Sequence, residues 1–169
     1  MINTYINSIV RFVFLVLIQA FVLQNINMGG FINPYLYILF VLWLPVDTEK
    51  SLVMFLAFLL GISVDVFTNS IGMHAAACVA MAFARPYVLK LISPRDDYEL
   101  GTKPKVINLG WTWFLLYGSL LTFIHHFVLF SLEVFRFGEF FFTFFRTVSS
   151  TVFTLLLLVI AELLTFRSK

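Results

Sequence analysis

Residues 51–92 read SLVMFLAFLLGISVDVFTNSIGMHAAACVAMAFARPYVLKLI, two apolar runs broken by the polar turn Thr68-Asn69-Ser70. A bilayer core about 30 Å thick takes roughly 20 helical residues, with a working range near 17–25. The runs Ser51–Phe67 and Gly72–Ile92 both fit that range. The short turn makes them consecutive, oppositely directed spans.

Four further segments lie outside this pair: about Ile6–Leu23, Phe31–Val46, Leu109–Leu132 and Phe141–Leu164. Of the 169 residues, 61% are hydrophobic and 12% charged, against about 25% charged in a soluble domain. The mean hydropathy is +0.98. Water cannot solvate so apolar a surface, but lipid can. The expected fold is therefore all-α: a polytopic membrane protein, one compact bundle of about six transmembrane helices over residues 1–169. The weakest span is 31–46, with Pro34 and Pro45 near its ends. Its length of about 24 Å at the helical rise makes it a short span or a re-entrant segment.

Charge orients the chain, because cytoplasmic loops carry the Lys and Arg excess. With six spans and a cytoplasmic N-terminus, Lys50, Lys90, Arg95, Lys103, Lys105, Arg167 and Lys169 fall inside and Arg136 outside. Both termini are then cytoplasmic. The loop 93–108, SPRDDYELGTKPKVIN, is the longest connection and a candidate partner surface. The net charge of +2 is scattered beside spans, so no nucleic-acid partner is expected. Cys78 is the single cysteine and reads as a packing residue. No cleavable signal is evident at the start of the chain.

Ionisable residues inside spans are costly and mark structure or function. Asp65, His74, His125, His126 and Arg146 share an outer depth band, flanked by Glu133 and Glu139. Arg85, Glu162 and Arg11 lie toward the inner side. Arg85 and Glu162 are positioned to pair, whereas Asp65 and Arg85 differ in depth by about 15 Å. The outer band has three readings. Asp65 accepts hydrogen bonds from His74 or Arg146 and ties helices together; the band lines an outward cavity for a polar or lipid-linked ligand; or Asp65, His74 and one histidine of the adjacent pair hold a metal. The last is limited because His125 and His126 project about 100° apart. The small residues Gly61, Gly72, Ala75, Ala76, Ala77, Ala80, Ala82 and Ala84 permit close helix approach. Phe140–Phe145, FFFTFF, and the pair Trp111 and Trp113 fit interfacial anchors. No nucleophile–base–orienter set, phosphate loop or HExxH is present, so neither an enzyme nor a cofactor is expected.

The spacing Gly61-x3-Asp65-x6-Gly72-x2-Ala75 resembles the rod shape-determining protein family MreD. Agreeing features are RFVFLVLIQAFVLQNI at 11–26, Asn33-Pro34-Tyr35, Arg85-Pro86 and His125-His126. The resemblance covers the whole chain. It implies a non-enzymatic component of the elongation machinery in the bacterial inner membrane, where lateral peptidoglycan is built and cell shape is set. It further implies direct binding to MreC. Through that complex the chain would meet MreB filaments, a SEDS-type glycosyltransferase and a class B penicillin-binding protein. The family's bundle is similar to the six-helix S components of ECF transporters. A small-molecule or lipid-binding transporter subunit is the alternative role.

Overall fold

In the computed structural model, residues 2–25, 32–134 and 140–167 are described, with side chains from Ile6 to Thr165 within those ranges. Arg136, Glu139, Lys169 and the Arg167 side chain lie outside them.

The described residues are helical without strands. The elements are α1 (Ile2–Phe21), α2 (Leu39–Leu42), α3 (Lys50–Thr68), α4 (Met73–Leu91), α5 (Val106–Leu109), α6 (Trp111–Val134) and α7 (Phe140–Arg167). Short 3-10 turns at Leu23–Asn25 and Leu36–Ile38 follow α1 and precede α2. Four helical stretches, Ile6–Asn25, Lys50–Thr68, Trp111–Val134 and Phe140–Thr165, are long and apolar enough to cross a membrane. Helix α4 is as long as α3 yet falls outside this set, because it carries His74, Arg85, Pro86 and Lys90. His74 and Arg85 are buried, so α4 keeps these two polar groups among its neighbours.

Contacts fix the helix directions. Phe21 of α1 meets Phe67 of α3, each near its helix's C-terminal end. Helices α3 and α4 form the hairpin expected from residues 51–92. Between α6 and α7, Arg146 near the start of α7 meets Glu133 near the end of α6, and Gly118 faces Leu155 and Leu158 further along. Large apolar side chains on α1, α3, α6 and α7 point outward, including Phe14, Phe55, Leu116, Phe141 and Leu164. This inside-out surface suits a bundle solvated by lipid.

The expected span 31–46 is not a transmembrane helix. Residues 33–35 are non-helical, and helix runs only from Leu36 to Leu42. The segment nonetheless travels along the bundle: Asn33 bonds Ser150, Tyr35 bonds Thr154, and Trp43 bonds Glu162, each step moving further along α7. Pro34 has no amide to continue a helix. Irregular backbone survives at such depth only where protein satisfies it, and here it does. The Asn33 amide donates to Ser150 Oγ (3.1 Å) and the Tyr35 amide to Thr154 Oγ1 (3.2 Å). Gln19 of α1 donates from Nε2 to the Pro34 carbonyl (3.0 Å) and accepts the Leu36 amide at Oε1 (3.0 Å). Residues 37–42 are buried on all sides and form the middle of the core with Leu60, Met81, Phe114 and Leu121.

Candidate functional site

The polar interior begins at the α3–α4 turn. Gly72 adopts φ +72°, a conformation that favours glycine, and so offers no side chain to cap α4. Asp65 supplies the cap from the preceding helix. Its carboxylate accepts the amides of His74 (3.0 Å) and Ala75 (2.9 Å) and the hydroxyl of Ser70 (2.6 Å). Those amides belong to the first turn of α4, where donors lack helical partners and the helix dipole favours an anion. Gly61 permits the approach that this geometry needs. A Cβ there would lie 2.6 Å from Ala75 N and His74 O. The spacing Gly61, Asp65, Gly72, Ala75 is thus the chemistry of one close, capped helix hairpin.

Of the residues expected in the outer band, the three histidines are brought together through Tyr37 and Tyr35. The Tyr37 phenol joins His74 Nδ1 (2.9 Å) to His125 Nε2 (2.7 Å). A phenol has one proton, so one histidine accepts it and the other donates to the phenol oxygen. The Tyr35 ring packs edge-on against His74, His125 and His126. His126 Nδ1 faces the Thr122 carbonyl at 2.8 Å, which only accepts, so Nδ1 carries the proton. His126 Nε2 then accepts from Thr154 (3.1 Å), whose oxygen is left to receive the Tyr35 amide. Adjacent in sequence, His125 and His126 therefore serve different neighbours, α4 through Tyr37 and α7.

Asp65 does accept from His74, through the backbone amide and not the ring, and it accepts nothing from Arg146; the Ala75 amide and Ser70 complete its bonds. Arg146 pairs with Glu133 instead (2.8 Å) and lies over the Phe130 ring at 4.1 Å. Arg85 and Glu162 do not pair. Arg85 Nε donates to Tyr117 Oη (2.8 Å), and Nη2 donates to the carbonyls of Leu44 (2.5 Å) and Pro45 (3.1 Å). Tyr117 itself donates to the Leu42 carbonyl (3.3 Å). These carbonyls lie at or just beyond the end of α2, where cationic donors are favourable. Glu162 accepts Trp43 Nε1–H and, at 3.4 Å, the Val106 amide. The ion pair is absent because Arg85 is turned to Tyr117 and the Leu44 and Pro45 carbonyls, while Glu162 takes the Trp43 indole N–H and the Val106 amide.

The proposed metal set is also not assembled. Asp65 spends its oxygens on the α4 cap, and His74 turns Nδ1 to Tyr37. Among the described residues, no group of three or more His, Cys, Asp or Glu is placed to hold an ion. Two polar atoms on the buried face of α6 remain without partners: Thr122 Oγ1 and His125 Nδ1.

Sequence reasoning passed over Gln19, Tyr37, Trp43, Tyr117, Ser150 and Thr154, and met Tyr35 only within Asn33-Pro34-Tyr35. One signal was available. Thr143, Thr147, Ser150 and Thr154 recur at three- and four-residue spacing along one face of α7, and all four are buried.

The 93–108 loop is folded against the bundle. Tyr98 donates to the Leu89 carbonyl (2.9 Å), and Trp113 Nε1 contacts both Tyr98 Oη and the Ile92 carbonyl. Partial burial raises the Tyr98 phenol above its ordinary value. The Val46 amide bonds the Thr102 carbonyl at 2.9 Å. A cleft of about 610 Å³ opens here, lined by residues that include Asp97, Glu99, Thr102, Lys103 and Asn108.

No family model, curated protein or solved structure matches the chain.

Proposed function

We propose that the chain is a non-enzymatic membrane scaffold of the kind its MreD-like motif implies, binding MreC in the bacterial inner membrane during wall elongation. The chain then crosses six times with both termini cytoplasmic, the second crossing made by residues 32–46. One observation carries the reading: the buried polar side chains Gln19, Asp65, Arg85, His126, Ser150, Thr154 and Glu162 are spent on internal bonds that join elements. Polar groups used this way support a rigid body that works through its outer surface. Apolar helix faces are available to a partner's membrane helix, and the cleft in loop 93–108 to a cytoplasmic one. Contact with MreB filaments, the SEDS glycosyltransferase and the class B penicillin-binding protein follows through that complex. Co-expression and detergent pull-down with MreC tests the proposal. A stable complex is expected, and its absence when both proteins are folded removes the reading.

A second reading is favoured by Thr122 Oγ1 and His125 Nδ1, two unpaired atoms one turn apart beside a broken segment. Broken segments line binding sites in many transporters. A small-molecule or lipid-binding transporter subunit, similar to an ECF S component, would show a ligand-dependent thermal shift and require an energising ATPase.

A further inference from the structure

A cluster of charged side chains lies at the opposite end of the bundle from the capped hairpin. Four elements meet there around the Trp43 indole. Arg11 of α1 places its guanidinium carbon 4.9 Å from the ring centroid, and Lys105 places Nζ 3.8 Å from it. The indole N–H is taken by Glu162 of α7. Lys105 also lies close enough to Glu162 to interact electrostatically. Among the described residues, Arg11 and Lys105 thus share this corner with the Glu162 carboxylate.

Arg11 is the unmatched member. Among the described residues its partner is the Trp43 ring, with no hydrogen bond or ion pair to the guanidinium. It sits five residues into the apolar stretch Ile6–Asn25 and is half-buried. At the helical rise this is about 7 Å from the start of that stretch. A guanidinium there is costly unless its donors reach an anion. Its planar fork matches a phosphate, and its stem is long enough to carry that fork to the headgroup level.

We propose that Arg11 and Lys105, both against Trp43, bind the phosphate of a membrane phospholipid headgroup at this corner of the bundle. Arg11 supplies bidentate donors, Lys105 adds positive charge, and Glu162 holds the indole that both contact. The apolar outer face of α1, including Val10, Val13 and Phe14, lies beside the acyl chains. The site is independent of MreC binding and rests on the membrane character of the bundle.

Native mass spectrometry of the purified full-length chain, titrated with phosphatidylglycerol in detergent, provides the test. Wild type is expected to retain one phosphatidylglycerol, and Arg11→Gln to weaken retention about tenfold, the loss typical of a charge-assisted contact. Arg11→Lys keeps the charge without the fork and is expected to fall between them, which keeps the test open if Arg11→Gln does not fold. Lys105→Gln weakens retention and Lys90→Gln, at the same end but on α4, leaves it unchanged. Diacylglycerol, which lacks phosphate, is not retained. Competition by glycerol phosphate alone at equal concentration would assign the site to free phosphate rather than lipid. Equal retention by wild type and Arg11→Gln, an equal loss in Lys90→Gln, or equal retention of diacylglycerol would overturn the proposal.

Discussion

Replacing Asp65 with alanine removes three hydrogen bonds in one step. Two of them come from the amides of His74 and Ala75, at 3.0 and 2.9 Å, from a carboxylate that is 4% exposed. Each buried donor left without a partner costs about 1–3 kcal/mol. The lower half of that range applies where water reaches a turn at the end of the bundle, which gives about 3 kcal/mol for the two amides. Loss of an anion from the α4 N-terminus adds up to about 1 kcal/mol. The expected destabilisation is therefore about 3–4 kcal/mol. Asparagine keeps one acceptor and loses the charge, so Asp65→Asn should cost about half as much. Ser70→Ala leaves both amides capped and should cost about 1 kcal/mol. Reversible unfolding in mixed detergent–SDS micelles, followed by circular dichroism, measures all three. Hydrogen exchange would place the loss in the first turn of α4. An Asp65→Ala variant within about 0.5 kcal/mol of wild type, the range of an ordinary surface change, would refute the capping argument.

The same assay reads the other perturbations. Gly61→Ala places a Cβ 2.6 Å from Ala75 N and forces α3 and α4 apart, at a cost of about 3 kcal/mol. Gln19→Leu strips partners from Pro34 O and Leu36 N; a loss of about 2–4 kcal/mol is expected, with faster hydrogen exchange across residues 33–38 as the local signature. Tyr37→Phe deprives His74 and His125 of their shared hydroxyl, and about 2 kcal/mol should be lost. Arg85→Leu leaves the Leu44 carbonyl without its donor, whereas the Pro45 carbonyl keeps Thr48. It should destabilise by about 3 kcal/mol, with Arg85→Lys recovering part because an ammonium reaches fewer acceptors at once.

Hydropathy located α3, α6 and α7 to within two residues at each end, apart from the longer C-terminal end of α7. An apolar run of membrane length has few other ways to satisfy its backbone. It failed at residues 31–46, where a continuous apolar pattern hides an unwound backbone. Pro34 marked the break, but the groups that make the break tolerable come from Gln19, Ser150 and Thr154, far away in sequence. Depth arithmetic placed Arg85 and Glu162 on the same side of the bundle. It did not find their partners, because depth along a helix says nothing of the direction a side chain takes or of backbone ends nearby. The motif from Gly61 to Ala75 was the most legible part of the site. All its bonds are local, within one hairpin, so spacing alone held the geometry.

The remaining polar groups share one task. Gln19, Ser150 and Thr154 hold residues 33–36, while Arg85 and Tyr117 hold the carbonyls of Leu42, Leu44 and Pro45 and Glu162 holds the Trp43 indole. One irregular segment thus receives donors or acceptors from α1, α4, α6 and α7. In lipid, water cannot take over any bond that is lost, so each of these helices is tied to the position of the segment. Tyr37 extends the tie to the α3–α4 hairpin, since its partner His74 is also capped by Asp65. The polar interior is what allows a segment too short and too broken to stand as a helix to become the centre around which the apolar helices are placed.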